Sequence, residues 1–176
     1  RWSNQEDFTV FAPTALNTAG DQRLQIGTEI VTMVSSREET IISSDEAIYG
    51  MTFVGAPFIF SFRLLGTDCG AAGLNTMLNV DGTMYWMGKR NFFMYNGVVK
   101  EIECPVQHYV FNRMQENYID KTVVGHNKRF KEVTWFYVSN DVEFDIVLSS
   151  SSWTTLASSP FYSTPSIQVG DFVDIQ

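Results

Sequence analysis

The stretch from Thr76 to Ile102 is cut by two turn dipeptides, Asp81-Gly82 and Asn96-Gly97. Such pairs accept positive φ, so they close antiparallel strands with the twist that strands naturally carry. They separate Thr76–Val80 from Thr83–Met87 and Asn91–Tyr95 from Val98–Ile102. Four short strands thus fit into about 30 residues, the size of one antiparallel blade. Pro105 closes the unit.

The flanking sequence reads the same way. Ile30–Val34 and Thr40–Ser44 are β-branched runs on either side of the polar turn Ser35–Glu39. In Ala47–Val54 the side chains alternate, with Ile48, Gly50 and Thr52 on one face and Tyr49, Met51 and Phe53 on the other. Gly55-Ala56-Pro57 breaks the chain before Phe58–Leu65. Lys121–Gly125, Lys131–Ser139, Glu143–Leu148, Trp153–Leu156 and Asp171–Ile175 are further strands. Val106–Asn117 is the one helix candidate, on the spacing of Val106, Tyr109, Val110 and Met114.

Strand clusters recur about every 40 residues, which predicts an all-β, antiparallel, β-propeller-like fold. A β-sandwich would give much the same pattern. The blade-like units are 24–65, 74–105 and 119–156. They lie in a single β-rich domain over 1–176 or in a fragment of a larger propeller. The polar start Arg1–Asp7 carries no signal peptide, and the chain stops within a strand pattern, so it reads as an internal piece of a longer polypeptide.

Composition removes several functions. With 44% hydrophobic and 14% aromatic residues, the 176-residue chain has ample material for a core, so it is not a disordered one. Its longest apolar-leaning stretch, Ala56–Leu65, contains Ser61 and Arg63 and is too short to span a membrane. A net charge of -8 argues against a nucleic-acid binder that works by neutralising phosphates. Two cysteines, Cys69 and Cys104, make no disulfide scaffold and fit assembly in a reducing cytosol, a single bridge between them staying open, and no sequon marks a glycosylated surface.

Reactive groups are sparse. Cys69, Cys104, His108 and His126 are the whole stock of soft metal ligands, without the paired-cysteine knuckle that preorganises zinc. Asn140, Asp141, Glu143 and Asp145 crowd oxygen ligands together, but a solvated acidic strand face is the expectation. Cys69 sits in the glycine-rich bend Asp68–Gly73, which could expose a thiol, yet no local motif ties it to a histidine. There is no Gly-x-Ser-x-Gly elbow, and Gly88-Lys89-Arg90 fails the third position of a phosphate loop. No catalytic, cofactor or metal residue is assigned, and an enzyme is not expected. The basic knot Lys128-Arg129-Phe130-Lys131 reads as a solvated hairpin tip. Most of the 14 Phe, 7 Tyr and 4 Trp belong to the core, and some face partners.

Asp81–Gly88, Asn91–Gly97 and Glu101–Pro105 together resemble a family of bacteriophage tail structural proteins. These are akin to the tail nozzle and packaged-DNA stabilisation proteins of short-tailed phages. The resemblance continues in Tyr109–Asn112 and Lys131–Ser139, and upstream in Arg1–Asp7, Asn17–Gly20 and Ala47–Gly55. It covers about Arg1 to Leu156 and rests on packing and turn motifs. Ser149–Pro165 departs from the pattern by its serine content. The likeness implies a virion component in the tail, with copies in a ring around the tail axis beside neighbouring tail and adaptor proteins. It also implies passing contact with DNA through the channel. A carbohydrate- or receptor-binding β module, with Trp86 or Trp153 stacking on sugar rings, is the alternative.

Overall fold

The computed structural model describes residues 1–140 together with 173–175. Within them, three antiparallel sheets follow one another along the chain. The first is a meander of β1 (Ile30–Ser35), β2 (Thr40–Ser44), β3 (Ala47–Gly55) and β4 (Ile59–Thr67) in that spatial order. The second repeats it with β5 (Met77–Val80), β6 (Thr83–Met87), β7 (Phe92–Tyr95) and β8 (Val99–Ile102). The third holds β9 (Val123–Asn127), β10 (Glu132–Phe136) and β11 (Val173–Ile175), with β10 in the middle. The fold is therefore mainly β and antiparallel, as the sequence predicts. Among the described residues the sheets close neither a barrel nor a ring. Glu143–Leu148 and Trp153–Leu156, expected as strands, lie outside the described residues.

The turns follow their residues. Asp81 (φ 51°) and Gly82 (φ 96°) are both left-handed, as a primed two-residue turn requires. Asn96-Gly97 turns the chain differently. Gly97 (φ 106°) is the left-handed residue of a three-residue loop between the paired Tyr95 and Val99.

The middle sheet explains the adjacent aromatic pairs. Successive side chains of a strand point to opposite faces. Phe93 stacks on Trp86 at 5.6 Å within the core shared with the first sheet, where Ile41, Ile48 and Met84 also pack. Phe92 meets Trp135 at 5.1 Å within the core shared with the third sheet, beside Met87, Val110 and Val133. The outer face of the first sheet is covered differently, by Leu24 and Ile26 of the N-terminal segment against Ile42 and Tyr49. The Tyr49 hydroxyl accepts from the Ile26 N–H (2.7 Å) and donates to the Ile26 carbonyl (3.1 Å).

The sheets approach one another most closely through their first strands, β1 against β5 and β5 against β9. The Asn79 side chain on β5 donates to the carbonyl of Ser35, at the end of β1 (2.9 Å). The Val124 N–H of β9 donates to the Asn75 carbonyl (3.0 Å), beside a parallel bridge joining Asn75 to Val123. The three first strands thus run in one direction. One end of the stack carries the β1–β2, β3–β4, β5–β6, β7–β8 and β9–β10 loops. The opposite end carries the β2–β3 and β6–β7 turns and the connections between sheets.

The helix is shorter than its periodicity suggests. α1 covers Gln107–Arg113, Met114 is extended, and a 3-10 turn spans Glu116–Lys121. The backbone beyond β10 captures the chain here: Met114 bridges Ser139, and the Gln115 N–H donates to the Val138 carbonyl (2.9 Å). Val110 and Met114 are buried, but Val106 and Tyr109 face outward. No helix among the described residues is long and apolar enough to cross a membrane.

Candidate functional site

The glycine-rich bend does not present its thiol. Cys69 is buried, and burial pushes its thiol up to about 11, so it stays protonated near neutral pH. The Trp86 indole N–H donates to the Cys69 carbonyl (2.7 Å), and the Ala71 N–H donates to the Ser43 hydroxyl (2.7 Å). A Cβ on Gly70 would meet the Ser44 carbonyl oxygen at 2.6 Å, and one on Gly73 the Ile119 carbonyl oxygen at 2.8 Å. These glycines permit close backbone approach. The Trp135 indole N–H donates to the Thr76 carbonyl (3.0 Å), so the connection between the first two sheets is also pinned to the third.

The other residues singled out by chemistry do not converge. Cys104 is half-buried against the second core, His108 is exposed on α1, and His126 is half-buried on β9 opposite Val133. Among the described residues, no group of three or more His, Cys, Asp or Glu side chains could hold a metal ion. Asn140 is engaged with the end of α1: its N–H donates to the Arg113 carbonyl (2.6 Å) and its side chain to the Met114 carbonyl (3.4 Å). Asp141, Glu143, Asp145 and Trp153 lie outside the described residues. Trp86 is fully enclosed, so it offers no face to a sugar ring.

At the connection end, a cleft of about 420 Å³ opens between the first two sheets. Asp45, Glu46 and Asp68 line it beside Lys89, Arg90 and Phe93. Asp45 is already engaged: the Thr28 N–H (2.7 Å) and hydroxyl (2.8 Å) donate to its carboxylate. Those bonds, the hydroxyl's first, hold the carboxyl below the usual range. Three carboxylates and two cations thus share the cleft, with neither a histidine nor a cysteine among its described lining residues.

A polar clasp joins the first and second sheets. The Tyr95 hydroxyl on β7 donates to the Glu39 carboxylate (2.5 Å), and Arg63 on β4 lies 3.4 Å from that carboxylate and 3.2 Å from the Tyr95 oxygen. Burial first, then the Glu39 carboxylate, holds the Tyr95 phenol above its ordinary range. The three residues stand far apart in sequence, so no spacing motif announces them.

The loop end also exposes apolar side chains. The β3–β4 hairpin extends beyond the Thr40–Met51 pairing through Phe53–Phe60 to Gly55–Ile59. Trp2 covers Phe60 (5.3 Å) and Phe62 (5.8 Å), while Phe53, Val54 and Phe58 stay exposed. Lys128-Arg129-Phe130-Lys131 forms the exposed β9–β10 tip that the sequence predicts, with the Arg129 guanidinium 5.5 Å from the Phe130 ring centre. Neither the family models nor the curated proteins compared with this chain gave a match.

Proposed function

We propose that this chain is a structural building block of a bacteriophage tail. It is a propeller-like fan of blades that assembles with copies of itself around the tail axis and contacts neighbouring tail proteins. One observation carries this reading: successive antiparallel meanders pack face to face with co-directed first strands at their closest approach. Neighbouring propeller blades are arranged in that way, with their first strands around a central channel. Propellers use four or more blades, so the three sheets among the described residues take further chain or other copies to complete a ring.

The remaining features support the same reading. Side chains in the seams are committed to packing and to bonds between sheets, which suits a stiff part better than a reactive one. Exposed Phe53, Val54 and Phe58 form an apolar tip of the kind that partners cover. The first strands, β1, β5 and β9, carry no lysine or arginine, so a channel that they line holds no fixed cation to trap DNA phosphates.

Mass spectrometry of purified virions, with electron microscopy of the tails labelled by an antibody to this chain, tests the proposal. The polypeptide is expected in every particle and at the tail. Its absence from virions would overturn the assignment.

A further inference from the structure

We propose that the tip of the β3–β4 hairpin enters the interfacial layer of a lipid bilayer while the rest of the chain stays outside it. The inference goes beyond the tail assignment and does not rest on it. The tip lies at the loop end, whereas copies in a ring meet sheet face to sheet face.

From Ala47 to Phe62 the chain carries no charged side chain. The last rung that β3 shares with β2 is Thr40–Met51, so the hairpin from Thr52 onward stands clear of its neighbour. Thr52–Val54 carry the turn about 10 Å past that rung, at about 3.3 Å per residue. Interfacial protein elements sink about 5–10 Å into the boundary between headgroups and acyl chains, so the projection matches the depth. It is far short of the roughly 30 Å needed to cross the hydrocarbon core. Arg63, the first charge below the tip on β4, is level with Gly50 and ion-paired to Glu39 (3.4 Å), on the water side. Between that pair and the tip, Trp2 lies against Phe60 and Phe62, its indole N–H given to the Thr18 carbonyl (2.8 Å). An amphipathic ring at that height suits the headgroup level.

The side chains at the tip favour lipid over protein. Phe53 (69% exposed) and Val54 (52%) are consecutive in β3 and point to opposite faces, and Phe58 (75%) stands in the turn. A protein groove covers one face of a hairpin and meets its margin with polar contacts. Here no side chain from Phe53 to Phe60 donates or accepts a hydrogen bond, and both faces and the turn are apolar. Fluid acyl chains surround such a tip from every side and ask no directional bond of it. Val98 and Phe130, exposed in two further loops of the same end, face the same surface. Headgroup charge does not select the bilayer. Arg37, Lys128, Arg129 and Lys131 are accompanied by Glu38, Asp81 and Glu132, and Arg1, Glu6 and Asp7 belong to the segment that carries Trp2. The bilayer is recognised by its apolar interior.

Flotation of the full chain with vesicles of phosphatidylcholine, with and without added phosphatidylserine, reads this contact. The chain is expected to float with both, and to the same extent at about 50 mM and about 500 mM sodium chloride, because salt screens charge and leaves apolar burial in place. F53S/F58S should lower partitioning roughly tenfold or more, since it removes two rings from the inserted surface. A56D removes nothing and adds a charge at the exposed turn, and it should lower partitioning as well. F58W should bind as the wild type does and add emission that brominated acyl chains quench. K128Q/R129Q/K131Q should float with phosphatidylcholine unchanged.

No flotation on phosphatidylcholine, binding confined to phosphatidylserine at low salt, or an F58W emission that brominated chains leave unquenched would overturn the inference. So would flotation that survives F53S/F58S or A56D in protein with the wild-type near-ultraviolet spectrum. Self-association that these variants abolish, in a chain that ignores vesicles, would make the tip a contact between copies and overturn it too. A chain that floats but is missing from virions would leave the inference standing and overturn the tail assignment. A chain present at the tail that does not float would do the reverse.

Discussion

Tyr95, Glu39 and Arg63 show how much one residue can tie together. Glu39 lies in the β1–β2 loop, Arg63 on β4 and Tyr95 on β7, so one carboxylate spans two sheets. Tyr95→Phe removes a hydrogen bond to a charged, largely covered acceptor and is expected to cost about 1.5–3 kcal/mol. The pH dependence has a definite sign. A phenol whose pKa is raised in the folded state contributes its full stability below its unfolded value, and that contribution is lost as pH rises through the folded value. Urea unfolding at pH 8 and at about pH 11 should therefore show the gap between wild type and Tyr95→Phe shrinking at the higher pH. A gap that grows with pH would place the Tyr95 proton elsewhere. Cys69 teaches the reverse lesson: its glycine-rich surroundings suggest exposure, yet they serve close packing against the Ser44–Asp45 backbone.

At the scale of elements, much was legible from local signals. The turn at Asp81-Gly82 and the strands of the middle sheet follow from turn chemistry and period two, both written within a few residues. The end of α1 was not legible, because what stops it is pairing with residues 138–139, well beyond the helical pattern. The strand at Asp171–Ile175 was legible, but its partner was not: Val173–Ile175 pairs with β10 across a long sequence separation. The polar clasp and the indole bonds that pin the seams are likewise long-range, and sequence spacing carries no trace of them. The division of β7 between two cores makes its own prediction. Phe92→Leu and Phe93→Leu disturb different seams, so each should cost about 1–1.5 kcal/mol and the pair should add within about 0.5 kcal/mol. Thermal melts of the two single variants and the double variant check this. A double variant much less stable than the sum would mean that the two cores yield together.

For the whole molecule, the arrangement of the three sheets matters more than any side chain. Their cores lie between sheets, their first strands run together, and Phe53, Val54, Phe58, Val98 and Phe130 stand exposed at loop tips. A body built this way is suited to fitting against others around an axis through its first strands. Cryo-electron microscopy of the purified full chain asks directly whether it does. The account predicts rings of copies in which flat sheets radiate from a channel lined by β1, β5 and β9. Particles that remain single at every concentration, or rings whose channel is lined by β4 and β8 instead, would contradict it.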